Sequence, residues 1–326
     1  MLTSNSPLFP KRPSKRISLS AYIFNSKLID YIFSFYAGKK KKIIPSDKTP
    51  VLQVDNLCRE TLAELFNNEI SAIHIPNYIN KANSSVITKS ILKKKLENWN
   101  VSTALDELKL SDVDVFGMPF SQALRTQSDW EKYFNNSSMV ENFLNEHCKD
   151  HISPIRKFIN NIEEVYSLGM KVREFHKFKM TPGVIRVMHA AGNEVKQFLP
   201  LNCHVDTLPL LSKNTGLYSV NIYFNVPSAG GEIFIWNPNF NSYHQLIQHW
   251  LLVKLLYLQQ SYLMPELQNI IQESLPKPHK IKIKSGDLIL FNTARPHAIG
   301  EFAKGSRVSY QAFLNFTRNN PIEIWA

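Results

Sequence analysis

The alternation of apolar and polar residues changes rhythm once along the chain, near residue 183. Before that point the spacing is mostly helical. Asn56 to about Asn68, Trp130 to Glu146 and Ile155 to Ser167 carry apolar residues three and four apart, the stripe of an amphipathic helix. Ser71 to Pro76 (SAIHIP) instead reads as a short strand. From Gly183 onward short β-rich runs separated by turn residues take over, in the order GVIRVMH, LNCHVD, LYSVNIYFNVP, GGEIFIW, HKIKIK, GDLILF and RVSYQAFLNF. Short strands punctuated by Gly and Pro predict a sandwich or small barrel, so the fold class is α+β with a mainly β core and a helical N-terminal portion. An insert separates Trp236 from His279, and its centre, Tyr243 to Leu275, has a helical pattern broken at Pro265. A lid and a helix packed on the sheet fit that pattern equally. There is no internal repeat.

With 326 residues, 44% of them hydrophobic, the chain has room for one substantial core. Residues 51–326 are therefore expected to form a single domain, in which 51–180 give mostly helical support and 183–316 the strand core. The net charge of +11 changes the picture only locally. Residues 1–50 hold ten Lys or Arg against Asp30 and Asp47, a net of +8, and the remaining residues carry +3. The segment Lys39 to Lys42, followed by Pro45, Ser46 and Pro50, marks the boundary of a basic, flexible N-terminal arm. A nearly neutral body argues against a nucleic-acid groove. Cys58, Cys148 and Cys203 form no CxxC pair and leave one over, which suits three free thiols in a reducing, cytoplasmic setting. The Ser-, Lys- and Arg-rich arm, acid-free before Asp30, leaves an organellar address as the alternative. No run reaches the roughly 18 to 20 apolar residues that a membrane span needs.

The candidate chemistry lies in the β-rich half. His204 and Asp206 stand two apart in a strand pattern, so both side chains face the same way and can meet one ion. With a distant histidine, His297, they form a two-His-one-carboxylate set that leaves coordination positions open on Fe(II). A structural zinc site would want a fourth ligand. Cys203 adjoins His204 but points to the opposite face. Alone, an HxD tripeptide is also what an ordinary strand end looks like; the downstream segment GDLILFNTARPHAIGEFAKGSRVSYQAF gives it weight.

In that segment Arg307, Ser309 and Gln311 alternate with Val308, Tyr310 and Ala312, so Arg307 and Ser309 share a face. A guanidinium fork beside a hydroxyl is a receptor for a carboxylate. Tyr223 shares a face with Ser219 and Asn221, either lining a cavity or facing solvent.

The ordered set VIRV with Arg186, HVD, IYFN, GGEIF, GDLILF, and His297 followed by GSRVSYQAF resembles the Fe(II)/2-oxoglutarate-dependent oxygenase superfamily, in its prolyl-hydroxylase-like branch, over about Gly183 to Phe316. GGEIFIW and its helical lead-in also resemble bacterial free-amino-acid hydroxylases. The resemblance implies a double-stranded β-helix, or jelly roll. It makes His204, Asp206 and His297 the iron ligands, and Arg307, with Ser309 and Tyr223, the receptor of the distal 2-oxoglutarate carboxylate. It further implies a dioxygenase that consumes O2 and 2-oxoglutarate, releases succinate and CO2, and hydroxylates a small molecule such as an amino acid or biosynthetic intermediate. The carboxylate of Asp206 points away from the related halogenases, and Phe313, six residues past Arg307, departs from the Arg-x5-Arg signature of nucleic-acid dealkylases. The stretch from Arg186 to His204 is long for the pattern, so Arg186 is assigned no role. A protein side-chain hydroxylase and a non-catalytic metal-binding jelly roll stay open as alternatives. Oligomeric state is not fixed by the sequence.

Overall fold

The computed structural model describes residues 46, 48–103, 106–148, 152–190, 200–207, 215–238 and 265–326. The basic arm and most of the insert lie outside these residues. Strands β1 (Val51–Gln53) and β2 (Ala72–Ile75) flank the helix Arg59–Phe66. After the helix Lys81–Ile91 comes a hairpin, β3 (Glu97–Thr103) and β4 (Asp106–Phe116). Helices Phe120–Ala123, Gln127–Asn135, Met139–His147 and Pro154–Val165 follow. Next come β5 (Met170–Val172), β6 (Glu174–Phe175), β7 (Phe178–Lys179), β8 (Val184–His189), β9 (Pro200–His204), β10 (Thr215–Asn225) and β11 (Ile233–Ile235). The helix Pro265–Ser274 precedes β12 (His279–Ile281), β13 (Leu288–Asn292), β14 (His297–Gly300), β15 (Ser306–Thr317) and β16 (Ile322–Trp325).

These strands form two principal sheets. The larger has ten strands in the order β1-β2-β13-β10-β15-β8-β4-β3, with β16 against β15 and β5 against β16. The smaller runs β12-β11-β14-β9. Their inner faces meet through Ala72, Tyr223, Ile289 and Phe291 of the large sheet and Ile233, Ile235 and Ile281 of the small one. The helices cover the other face of the large sheet, where Leu62, Leu65, Ile87, Phe143, Phe158 and Ile162 pack on Val187, Val220, Ile222, Val308, Tyr310 and Leu314. Each such side chain removed from water contributes roughly 1.5 to 3 kcal/mol before conformational entropy is counted. The helix Pro154–Val165 illustrates the local logic. The Ser153 side chain caps it by accepting from the Arg156 amide, Pro154 occupies its first turn, and Ile155, Phe158, Ile159 and Ile162 form its buried stripe.

The strands expected from the sequence are present, and so are two features the pattern did not give. Residues 97–116 form the β3–β4 hairpin at the edge of the large sheet, within the region expected to be mostly helical. The single helix expected over Trp130 to Glu146 is two helices, because Asn136, Ser137 and Ser138 break it. Short polar side chains compete for the backbone hydrogen bonds of a helix interior. The described part of the insert includes the helix Pro265–Ser274, and the break expected at Pro265 adjoins residues outside the description. Among the described residues no helix is long and apolar enough to cross a membrane.

One buried carboxylate secures the turn into β13. Asp287 accepts from His74 Nε2 at 2.9 Å, from the Asn77 amide at 3.0 Å and from the Lys284 amide at 2.9 Å. Just before it, Gly286 has φ +101°, and a Cβ there would stand 2.5 Å from the Ile79 carbonyl oxygen. Burial alone would raise the Asp287 pKa, but the bonds from His74 and the two amides outweigh it and hold the carboxyl below its usual 3.8. A depressed folded-state pKa means that this stability is fully present above the ordinary carboxylate range and is lost as pH falls through the folded value. Asp287→Asn should therefore lower stability by about 1–3 kcal/mol at neutral pH and flatten its fall below pH ~4, read by urea unfolding across pH.

Candidate active site

The three sequence-predicted ligands converge between β9 and β14. His297 is the first residue of β14 and lies directly opposite His204 in the antiparallel pair, with Ile235 of β11 as its partner on the other side. The strand expected to carry both His204 and Asp206 ends at His204. Asp206 lies two residues past that end, held by a bond from its amide to the Thr293 carbonyl (3.1 Å). The imidazole centres are 4.4 Å apart. Asp206 Oδ1 is 3.6 Å from His204 Nε2, and Oδ2 is 3.5 Å from His297 Nε2.

This geometry fits a divalent ion. One ligand atom from each residue lies within 4.8 Å of the others. Donors around one ion, bonded at ~2.1 Å, stand about 3 Å apart, so small side-chain shifts close the set. His297 Nδ1 donates to the Arg295 carbonyl oxygen at 2.9 Å, which fixes the ring's tautomer and leaves Nε2 as the lone-pair donor. Burial would raise the Asp206 pKa, but hydrogen bonding and charge from His297, the charge of His204 and that of Arg186 prevail, keeping it ionised as a ligand must be. Cys203 is fully buried with its thiol pKa pushed well up by burial, and it is not part of the cluster. All three cysteines are free.

Among the described residues the strand bearing His204 is at the edge of the small sheet, with no further strand beside it. The helix Pro265–Ser274 supplies a substitute. Gln268 accepts from the Cys203 amide (2.9 Å) and donates to the Cys203 carbonyl (3.4 Å), as a ladder partner would. Of the two readings of the insert, its described helical part is thus packed on the sheet.

The residues expected to receive the cosubstrate lie on the inner face of the large sheet. Arg307 and Ser309 project from one face of β15, and Tyr223 on β10 is paired directly with Ser309. All three are buried. The Arg307 guanidinium carbon is 4.9 Å from the Tyr223 ring centre, and its Nη1 approaches Met188 Sδ at 3.3 Å. Among the described residues Tyr223 Oη and Arg307 Nε make no hydrogen bond of good geometry, although the two side chains act on each other. An orphaned buried polar atom costs roughly 1–3 kcal/mol, so both are placed for a ligand that would satisfy them. Burial pushes the Tyr223 phenol up, partly countered by Arg307 and Arg186, which keeps it a neutral donor. The strip Ser219, Asn221, Tyr223 faces the interior, all of it buried, with Asn221 Nδ2 donating to Ser219 Oγ at 3.0 Å.

Sequence reasoning left Arg186 without a role, and the structure brings it into the same interior. It is paired with Ser309 across β8 and β15, and its Nη1 donates to Gln311 Oε1 at 2.6 Å. Burial, then repulsion from Arg307, push its pKa down to about 10, against the pull of Asp206 and Tyr223. The alternation of Val184, Arg186 and Met188 with core-facing Ile185 and Val187 was the available signal.

No protein-family model matches the chain, and no curated protein does. Among solved structures, the chain is similar to an N-substituted L-amino acid dioxygenase from Burkholderia ambifaria AMMD, in complex with alpha-KG, at 12% identity over 82% of this chain and 91% of that one (TM-score 0.48). It is also similar to a prolyl hydroxylase from Trichoplax adhaerens at 14% identity, 79% and 90% coverage and TM-score 0.38. A third is HygX from Streptomyces hygroscopicus with nickel and 2-oxoglutarate bound, at 10% identity, 81% and 88% coverage and TM-score 0.38.

The ligand set makes a direct prediction. Asp206→Ala should reduce Ni(II) binding below detection in calorimetry, whereas Cys203→Ser should leave it within about threefold; retained affinity in Asp206→Ala would refute the triad.

Proposed function

We propose that this protein is an Fe(II)- and 2-oxoglutarate-dependent dioxygenase that hydroxylates a small molecule, its two-sheet core being a jelly roll with the metal between β9 and β14. The observation that carries the reading is the coincidence, in one interior, of a candidate three-ligand metal set with the buried Arg307 guanidinium packed against the buried Tyr223 phenol. Bound iron would supply activation of O2 with oxidative decarboxylation of 2-oxoglutarate to succinate and CO2.

The chain's own residues do the rest. His204, Asp206 and His297 would hold the ion, and a three-ligand set would leave coordination positions for cosubstrate and O2. Arg307 receives the distal carboxylate of 2-oxoglutarate, Tyr223 Oη donates to it, and Ser309 flanks it, which spends the orphaned donors on the one dianion the chemistry requires. Burial of the receptor keeps water off the charge pair and strengthens it. The Arg295 carbonyl orients His297, and Gln268 secures the strand that ends in His204.

The test is succinate release with Fe(II), 2-oxoglutarate and O2 across a panel of amino acids and related metabolites. The expected result is iron-dependent turnover with at least one of them; failure of the Ni(II)-loaded protein to bind 2-oxoglutarate at all would overturn the reading. Within it, Arg307→Gln should weaken 2-oxoglutarate binding by at least about 30-fold, equivalent to roughly 2 kcal/mol, and Tyr223→Phe by about 3- to 10-fold. Metal affinity should be unchanged in both.

A further inference from the structure

The interior holds two guanidinium groups where the cosubstrate requires one. Arg186 and Arg307 project from neighbouring strands onto the same face, Arg186 beside Ser309 and Arg307 beside Met188. Asp206 attracts Arg186 and Arg307 repels it. Two guanidinium groups side by side in a medium of low dielectric favour anionic ligands beside them. With Arg307 assigned to the 2-oxoglutarate carboxylate, Arg186 is placed to meet a second carboxylate.

Beside Arg186 there is also space for the rest of a ligand. Gln311, which accepts from Arg186, lines a pocket of about 250 Å³ whose walls include Phe120, Leu124, Val184, Phe313 and Trp325. Val184 stands two residues from Arg186 on the same face of β8, and Phe313 two residues from Gln311 on the same face of β15. Phe313 and Trp325 pack with ring centres 5.2 Å apart, and Phe120 meets Trp325 edge-on at 6.3 Å. Apart from Gln311 and Ser121 the named side chains are apolar. An apolar cavity of about 150 Å³ accepts a benzene-sized guest, so this one takes a ring or a branched aliphatic chain.

We propose that the substrate is an organic carboxylate with an aromatic or branched aliphatic group: Arg186, oriented by Gln311, receives the carboxylate, and the pocket walled by Phe120, Leu124, Phe313 and Trp325 receives the apolar part. This deepens the oxygenase reading and rests on it. Arg186 is here a specificity-determining residue that contacts substrate, while Arg307 serves the cosubstrate.

The experiment is calorimetric titration of 4-phenylbutyrate, and separately of its neutral amide, into the protein loaded with Ni(II) and 2-oxoglutarate. The wild type should bind the acid at least about tenfold more tightly than the amide. Arg186→Gln should remove that preference while leaving 2-oxoglutarate affinity within about threefold, and Arg186→Lys should restore part of it. Leu124→Glu, at an exposed position on the rim, tests the apolar half without touching Arg186 and should weaken the acid by about tenfold. Equal binding of acid and amide by the wild type overturns the proposal. So does an Arg186→Gln protein that loses 2-oxoglutarate and not the acid preference, which would assign Arg186 to the cosubstrate. Absence of 2-oxoglutarate binding to the Ni(II)-loaded wild type is a different result: it removes the oxygenase reading, and this proposal with it.

Discussion

The structure depends on the two-sidedness of β15. This strand is paired with β10 along one edge and with β8 and then β16 along the other, so its register is fixed from both directions. One face, Val308, Tyr310, Ala312 and Leu314, enters the core beneath the helices. The other presents Arg307, Ser309 and Gln311 to the interior between the sheets. A slip of one residue would exchange the faces, burying a guanidinium among hydrocarbon and turning Val308, Tyr310, Ala312 and Leu314 toward the site. The apolar core and the polar receptor are thus specified by the same alternation, and neither can shift without the other.

The interior is consequently rich in cationic groups around a small amount of negative charge. Arg186 and Arg307 act on each other unfavourably, Asp206 is drawn on by both histidines and by Arg186, and Tyr223 is flanked by both arginines. Such an arrangement is poorly suited to stand alone in a protein interior and well suited to anions. The helical core on the outer face supplies the apolar burial that tolerates it.

Much of this was legible in the sequence because period-two alternation survives wherever one face of a strand is buried in the core. That rule located β8, β10 and β15, paired Arg307 with Ser309, and put Tyr223 on one strip with Ser219 and Asn221 while leaving open whether the strip faced a cavity or solvent. What escaped it has particular causes. In β4 the apolar residues fall at Leu108 and Leu110 and then at Val113 and Val115, so the phase breaks, and the ladder with β3 is irregular between Asn98 and Asn100. β14 and β16 are four residues each, too short to establish a period. Arg186 sat in a strand that was recognised, but its proximity to Ser309 and Arg307 depends on the pairing of β8 with β15, a long-range relation that no local window contains. The contact of Gln268 with Cys203 spans 65 positions and has the same origin.

That last contact couples two parts of the molecule. Gln268 closes the free edge of the strand that ends in His204, so the helix Pro265–Ser274 and the metal ligand share one backbone amide as a common support. Free-energy coupling is reciprocal. Whatever factor helix docking contributes to ion affinity, the ion returns to helix docking. The insert that carries this helix is therefore a place where sequence change far from the candidate metal ligands would tune how tightly an ion is held, with no residue of the site replaced.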